Sequence, residues 1–218
     1  VTADNTDDVI TINAGGTIDE EAGDDGATDI DAFSITLSGD DGIGRTTIPE
    51  LDLQGGTLSL TSTSAGNNGD IRIAELGGAF ATSSVNVSTD VGTAQVVRLE
   101  KSGADLDVDN AWPGAGANDD NLQLIAVTNN VSFAGSVTTS AGATIESVTA
   151  QIVDTDGAAD IDAATIDLDA VTGIGQGNAL EIQNATGIAI DNSGGGDVDV
   201  DHVAGGAGAT VSSLTTDT

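Results

Sequence analysis

The sequence predicts an all-β protein, a β-solenoid of about nine or ten coils with no substantial helix. Three observations lead there. Apolar residues recur as pairs spaced by two, polar turn-forming clusters separate the pairs, and one twenty-residue phrase is written twice. The pairs include Ile10/Ile12, Ile35/Leu37, Leu51/Leu53, Leu58/Leu60, Ile71/Ile73 and Val85/Val87, then Leu106/Val108, Leu122/Leu124, Val131/Phe133, Ile166/Leu168, Leu180/Ile182 and Ile188/Ile190. A spacing of two places both side chains on one face of a strand and the residue between them on the other. The clusters between pairs, such as SGDDG, SAGNNGD and NSGGGD, are rich in residues that favour turns. Helical apolar spacing is almost absent.

The repeated phrase gives the strands an order. DGATDIDAFSITLSGDDGIG at 25–44 and DGAADIDAATIDLDAVTGIG at 156–175 agree at twelve of twenty positions, with an offset of 131 (156 − 25). Beyond the phrase, Leu51/Leu53 answers to Leu180/Ile182, Leu58/Leu60 to Ile188/Ile190, and Gly69-Asp70-Ile71 to Gly196-Asp197-Val198. Before it, AGGTI at 14–18 matches AGATI at 141–145. The chain therefore reads as one solenoid over 1–218, with an internal repeat at about 10–75 and 141–203. The intervening AWPGAGANDDN breaks the strand pattern and is expected to protrude as a loop near 110–121. With roughly 20–25 residues per coil and about 4.8 Å between strands, the rod would be roughly 45 Å long.

Composition restricts the function. The 218 residues carry 36 acidic and 4 basic side chains, a formal charge of −32, and include no cysteine, one tryptophan and three phenylalanines. So few aromatics suit many thin aliphatic layers better than one thick core. Nucleic acid and anionic membrane surfaces need clustered Lys and Arg, and only Arg45, Arg72, Arg98 and Lys101 are present. No apolar run reaches the roughly 20 residues that span a bilayer. The opening VTADNTDDVI has neither an initiator Met nor a signal-like segment, which reads as a mature or excised piece.

The order GIG, Leu51-x-Leu53, GTLSL and GDIRI resembles the β-helical repeats of filamentous-haemagglutinin-type exoproteins of bacteria. That resemblance implies a right-handed parallel β-helix, a secreted or cell-surface location and a structural or adhesive role.

Candidate chemistry is sparse. There is no Cys and no G-x-S-x-G, and His202 is the only imidazole, so no catalytic residues are expected. His202 should sit outward beside carboxylates. DLDVDN at 105–110 and DVDVDH at 197–202 begin like a calcium loop, but Asn110 and His202 stand where that loop needs Gly, and Gly116 and Gly208 where it needs Glu. Gly194-Gly195-Gly196-Asp197 lacks the spacing of the calcium-binding nonapeptide. A weaker calcium reading remains. Asp197, Asp199 and Asp201 flank the valines Val198 and Val200, Asp160 and Asp162 flank Ile161, and Asp29 and Asp31 flank Ile30. Stacked coils would bring such carboxylates about 5 Å apart, where like charges repel by about 0.8 kcal/mol per pair even in water. Either the acidic face is simply solvated and keeps the rod soluble, or Ca2+ relieves the repulsion; no cofactor is required.

Arg45, Arg72 and Arg98 recur at about one coil and are expected to pair with Glu50, Glu75 and Glu100. Trp112 is either a lid over an apolar coil edge or an exposed ligand anchor. Asn86, Asn130 and Asn184 head Asn-x-Ser/Thr triplets.

The leading functional expectation is a non-enzymatic shaft of an extracellular fibre, sheath or adhesin, self-associating head to tail or continuing in a longer chain. The alternatives are a calcium-dependent S-layer or tandem β-sandwich adhesion module and, third, a carbohydrate-active β-helix. Sandwiches would require antiparallel hairpins.

Overall fold

A computed structural model describes the chain except for residues 4–6, 21–26, 45–49, 65–68, 76–79, 91–93, 115–116, 118, 204–207 and 217–218. Its strands form three sheets of eleven, four and five strands. Every strand pair is parallel. The one antiparallel contact among the described residues is an isolated bridge between Asp154 and Asn178. The helical content among the described residues is a single 3-10 turn, Thr82–Ser84. Among the described residues, no helix is long and apolar enough to cross a membrane. This arrangement excludes antiparallel sandwiches.

One coil shows the plan. Asn121–Ala126 lies in the largest sheet, Val131–Phe133 in the smallest and Ser136–Thr138 in the third, after which Gly142–Ser147 returns to the first sheet beneath its own start. Alternate residues of each strand point inward, so the burial of Asn121–Ala126 begins exposed, buried, intermediate, buried. The aliphatic pairs seen in the sequence are those inward residues. None can leave water alone; each is covered by its counterparts one coil above and below.

Cross-strand partners define columns running along the axis. Ile18, Ile43, Ile71, Val97, Leu122, Ala143, Ile166, Ile188 and Val211 form one such column, and its eight steps give about eight turns. This is slightly fewer than the expected nine or ten, and the coils range in length from 21 residues (143 − 122) to 28 (71 − 43). Ile43 and Leu51 are eight residues apart, yet their partners Ile71 and Ile73 are separated by two.

The repeated phrase specifies backbone pairing. The Ile43 amide donates to the Asp70 carbonyl, and the Ile174 amide to that of Asp197. The Gly44 amide donates to Ile18 and the Gly175 amide to Ile152. Gly44 and Gly175 close the two GIG triplets with φ of +64° and +71°. A Cβ at Gly44 would lie 2.2 Å from the Arg72 carbonyl oxygen, and one at Gly175 would lie 1.9 Å from that of Asp199. Glycine is required at both positions because the next coil passes directly against them.

The repeat is nevertheless out of phase with the solenoid. Five steps along the column take Ile43 to Ile166, eight residues short of its sequence counterpart Ile174. Ile30 accordingly lies in the largest sheet and its counterpart Ile161 in the third, although Ile35 and its counterpart Ile166 both lie in the largest. AGGTI and AGATI also differ in role: Ile18 lies beside Ile43 as Ile152 does beside Ile174, whereas Ile145 pairs with Leu168.

Two expectations are corrected in the middle of the chain. Ala111–Trp112 is a strand of the third sheet, so the segment near 110–121 is partly coil rather than a protruding loop throughout. Trp112 pairs with Val137 and is 1% exposed, which removes it as an exposed ligand anchor. Its indole instead fills the interior column that continues through Val137, Ile161 and Ile182. His202 pairs with Ile182 in the last described rung of that column and is exposed.

Candidate metal centre

Along the smallest sheet, Val108 and Phe133 occupy one inward column, and the next partner is Asp154. A carboxylate thus takes a place held by apolar side chains in the two preceding coils. Asp154 is 2% exposed. Its Oδ1 accepts a hydrogen bond from the Asp156 amide at 2.9 Å, folding the chain into a tight turn, while its Oδ2 is buried with no hydrogen-bond partner.

Six residues on, Asp160 approaches the same point from the opening of the third sheet. Asp160 is fully buried. Its Oδ2 accepts from the Glu181 amide of the next coil at 2.8 Å, and its Oδ1 is buried with no partner. Asp156 lies exposed between them and accepts from the Ala158 amide at 2.7 Å. One carboxylate oxygen from each of Asp154, Asp156 and Asp160 lies within 4.8 Å of the other two. Among the described residues, no other group of three His or acidic side chains converges in this way.

The electrostatics follow from the burial. Loss of water pushes the Asp160 carboxyl up to about 8, against the opposing Glu181 amide and with further upward pressure from the Asp154 and Glu181 carboxylates. Such a group is held protonated at neutral pH unless a positive charge replaces the missing solvation. An outward row on the largest sheet gives the contrasting case. Glu146, Asp169 and Asp191 are cross-strand neighbours on successive coils. Partial burial, followed by repulsion from Asp167, Glu146 and Asp191, raises Asp169 to about 6.

Of the acidic residues expected to stack around a cation, only Asp160 belongs to the convergent cluster. Asp162 accepts from the Asn184 side chain at 2.8 Å, and Asp29 accepts from the Asp52 amide at 3.1 Å. Asp31 pairs in register with Gln54, and Asp201 with Glu181. Asp197 and Asp199 supply carbonyl acceptors to Ile174 and Leu180. These residues and Asp29 are not gathered into a ligand set. The missed residues, Asp154 and Asp156, carry one readable signal. Ile152-x-Asp154 has the spacing of an aliphatic pair with a carboxylate in its second place.

The basic residues also sort differently. Arg98 bridges Glu50 and Glu100, each at 2.5 Å, as expected. Arg72 pairs with Asp70 at 3.4 Å rather than with Glu75. Glu75 instead meets Lys101 of the next coil at 2.5 Å, with both side chains buried. Arg45 lies outside the described residues.

Fold and site together define the chain as a parallel β-solenoid repeat protein with an aliphatic interior and an acidic exterior. Comparison with known proteins returned no matching family model, no matching curated protein and no matching solved structure.

Proposed function

We propose that the chain is a structural, non-enzymatic segment of a large secreted or cell-surface protein of the filamentous-haemagglutinin-like kind. It serves as the shaft of an extracellular fibre, sheath or adhesin. The observation that carries this reading is the interior column itself. Ile188 and Ile190 are buried, whereas their partners one coil on, Val211 and Leu214, are 57% and 60% exposed. Beside them Ile182, Val200 and Ala209 line an open apolar mouth of about 300 Å³. A further coil laid on this face, from a longer chain or from a second copy stacked head to tail, would cover the column as each internal coil covers its neighbour. The charge of −32 supports an exterior that stays hydrated and resists lateral clumping.

Negative-stain electron microscopy of the purified chain tests the reading, together with immunogold labelling of the producing cell. The expected result is thin rods of uniform width, joined into fibres at high concentration, with label on extracellular material. Compact particles at every concentration, or label confined to the cell interior, would overturn it.

A further inference from the structure

We propose that Asp154, Asp156 and Asp160 form a binding site for one Ca2+ ion, which cross-links two faces of a single coil. Acidic residues are abundant on this molecule, so their number carries no weight; the internal placement of two of them does. Asp154 and Asp160 are 2% and 0% exposed, and each keeps one carboxylate oxygen without a hydrogen-bond partner. Buried polar atoms ordinarily find partners, and an isolated buried carboxylate is costly unless a cation offsets it. In each case a backbone amide fixes the other oxygen, from Asp156 for Asp154 and from Glu181 for Asp160, so the free oxygens are held in place rather than left to rotate.

The oxygen spacing admits Ca2+. Ligand oxygens on opposite sides of Ca2+, each about 2.3–2.6 Å from it, are separated by at most about 5 Å, whereas about 2.1 Å for Mg2+ allows little more than 4 Å. One carboxylate oxygen from each of the three residues lies within 4.8 Å of the others, a spacing that the Ca2+ coordination sphere spans. An all-oxygen set without Cys or His also suits a hard cation and disfavours zinc or copper. Asp156 is exposed, leaving one side of the site open for water ligands and for entry from solvent. The ion would tie the end of the Ile152–Asp154 strand to the start of the Ile161–Asp162 strand across the corner between them.

The test is isothermal titration of the chelator-stripped chain with CaCl2, and separately with MgCl2, at constant ionic strength, with thermal melting followed in parallel. The expected result is saturable binding of one Ca2+, at least tenfold tighter than Mg2+, with a higher melting temperature that added NaCl does not reproduce. Asp156→Asn, at an exposed position where folding should survive, is expected to weaken Ca2+ binding at least tenfold while leaving the circular dichroism spectrum unchanged. Asp197→Asn, outside the cluster, should bind as the parent chain does. Absence of saturable binding, equal weakening by Asp197→Asn, or a melting temperature indifferent to Ca2+ would each overturn the proposal.

Discussion

The ion pair between Glu75 and Lys101 lies inside the coil stack, and its removal has a calculable outcome. In the column that contains it, Leu53 precedes Glu75, Lys101 follows one coil later, and Ala126 comes next. Lys101 Nζ lies 2.5 Å from Glu75 Oε2, with side-chain exposures of 0% and 2%. An exposed pair would contribute about 0–1 kcal/mol. For a buried pair, removing one member strands the other charge and costs about 3–5 kcal/mol, whereas replacing both with apolar side chains of similar volume is about neutral or stabilising by up to about 4 kcal/mol. Lys101→Met and Glu75→Leu should therefore each destabilise the chain by several kcal/mol. The double variant should recover all of that loss, because it restores an aliphatic column between Leu53 and Ala126. Urea denaturation followed by circular dichroism reads the three variants against the parent. A coupling energy below about 0.5 kcal/mol, the usual limit of additivity between independent sites, would refute the inward placement of this pair.

Other consequences can be measured separately. Gly175→Ala and Gly44→Ala should each lose about 1–2 kcal/mol from left-handed backbone and about 1–3 kcal/mol more from displacing the adjacent coil. Gly103→Ala, at φ +81° with open space around its Cβ, should show only the first loss; equal losses at all three positions in urea denaturation would contradict the coil contact. Trp112→Ala should cost about 3–5 kcal/mol as a core truncation, and an unchanged unfolding midpoint would return the indole to the surface. In chelator, the raised carboxyls of Asp160 and Asp169 fix the sign of the pH dependence. The folded chain retains protons that the unfolded chain releases near pH 3.9, so stability falls as pH rises from about 4 toward about 8. Asp160→Asn should flatten the part of that decline above about pH 6, as read by denaturation at fixed ionic strength. Stability that rises over this interval would contradict the assignment.

The fold was legible wherever inward positions were filled by aliphatic residues. Pairs such as Leu122/Leu124 and Ile166/Leu168 alternate with polar outward residues, and the Gly-rich clusters between them locate the corners. What escaped notice was the same geometry filled by a polar or aromatic side chain. Glu75 follows Ile71-x-Ile73, and Lys101 follows Val97-x-Leu99, in the same two-residue rhythm, but charge disguised both as surface residues. Asp154 was hidden likewise, one place beyond Val153 in a stretch that resembles an acidic turn. Trp112 stands among Gly, Ala, Asn and Asp, and only its neighbour Val137 in the following coil reveals an inward position. The phase of the repeat was also unreadable, because it depends on the insertions that stretch individual coils and not on the matched residues.

The molecule is a single stack of parallel coils, and distances along the stack test this most directly. The chain contains no cysteine, so pairs of spin labels can be introduced cleanly on one outward row. Ser213, Ala189, Asp167, Thr144, Gln123, Arg98 and Arg72 are successive partners along that row. With one label at Ser213→Cys and the second moved through Thr144→Cys, Gln123→Cys, Arg98→Cys and Arg72→Cys, pulsed electron paramagnetic resonance should give distances near about 14, 19, 24 and 29 Å. A constant increment of about 4.8 Å per coil is the predicted result, and distances that fail to lengthen step by step would contradict the stack.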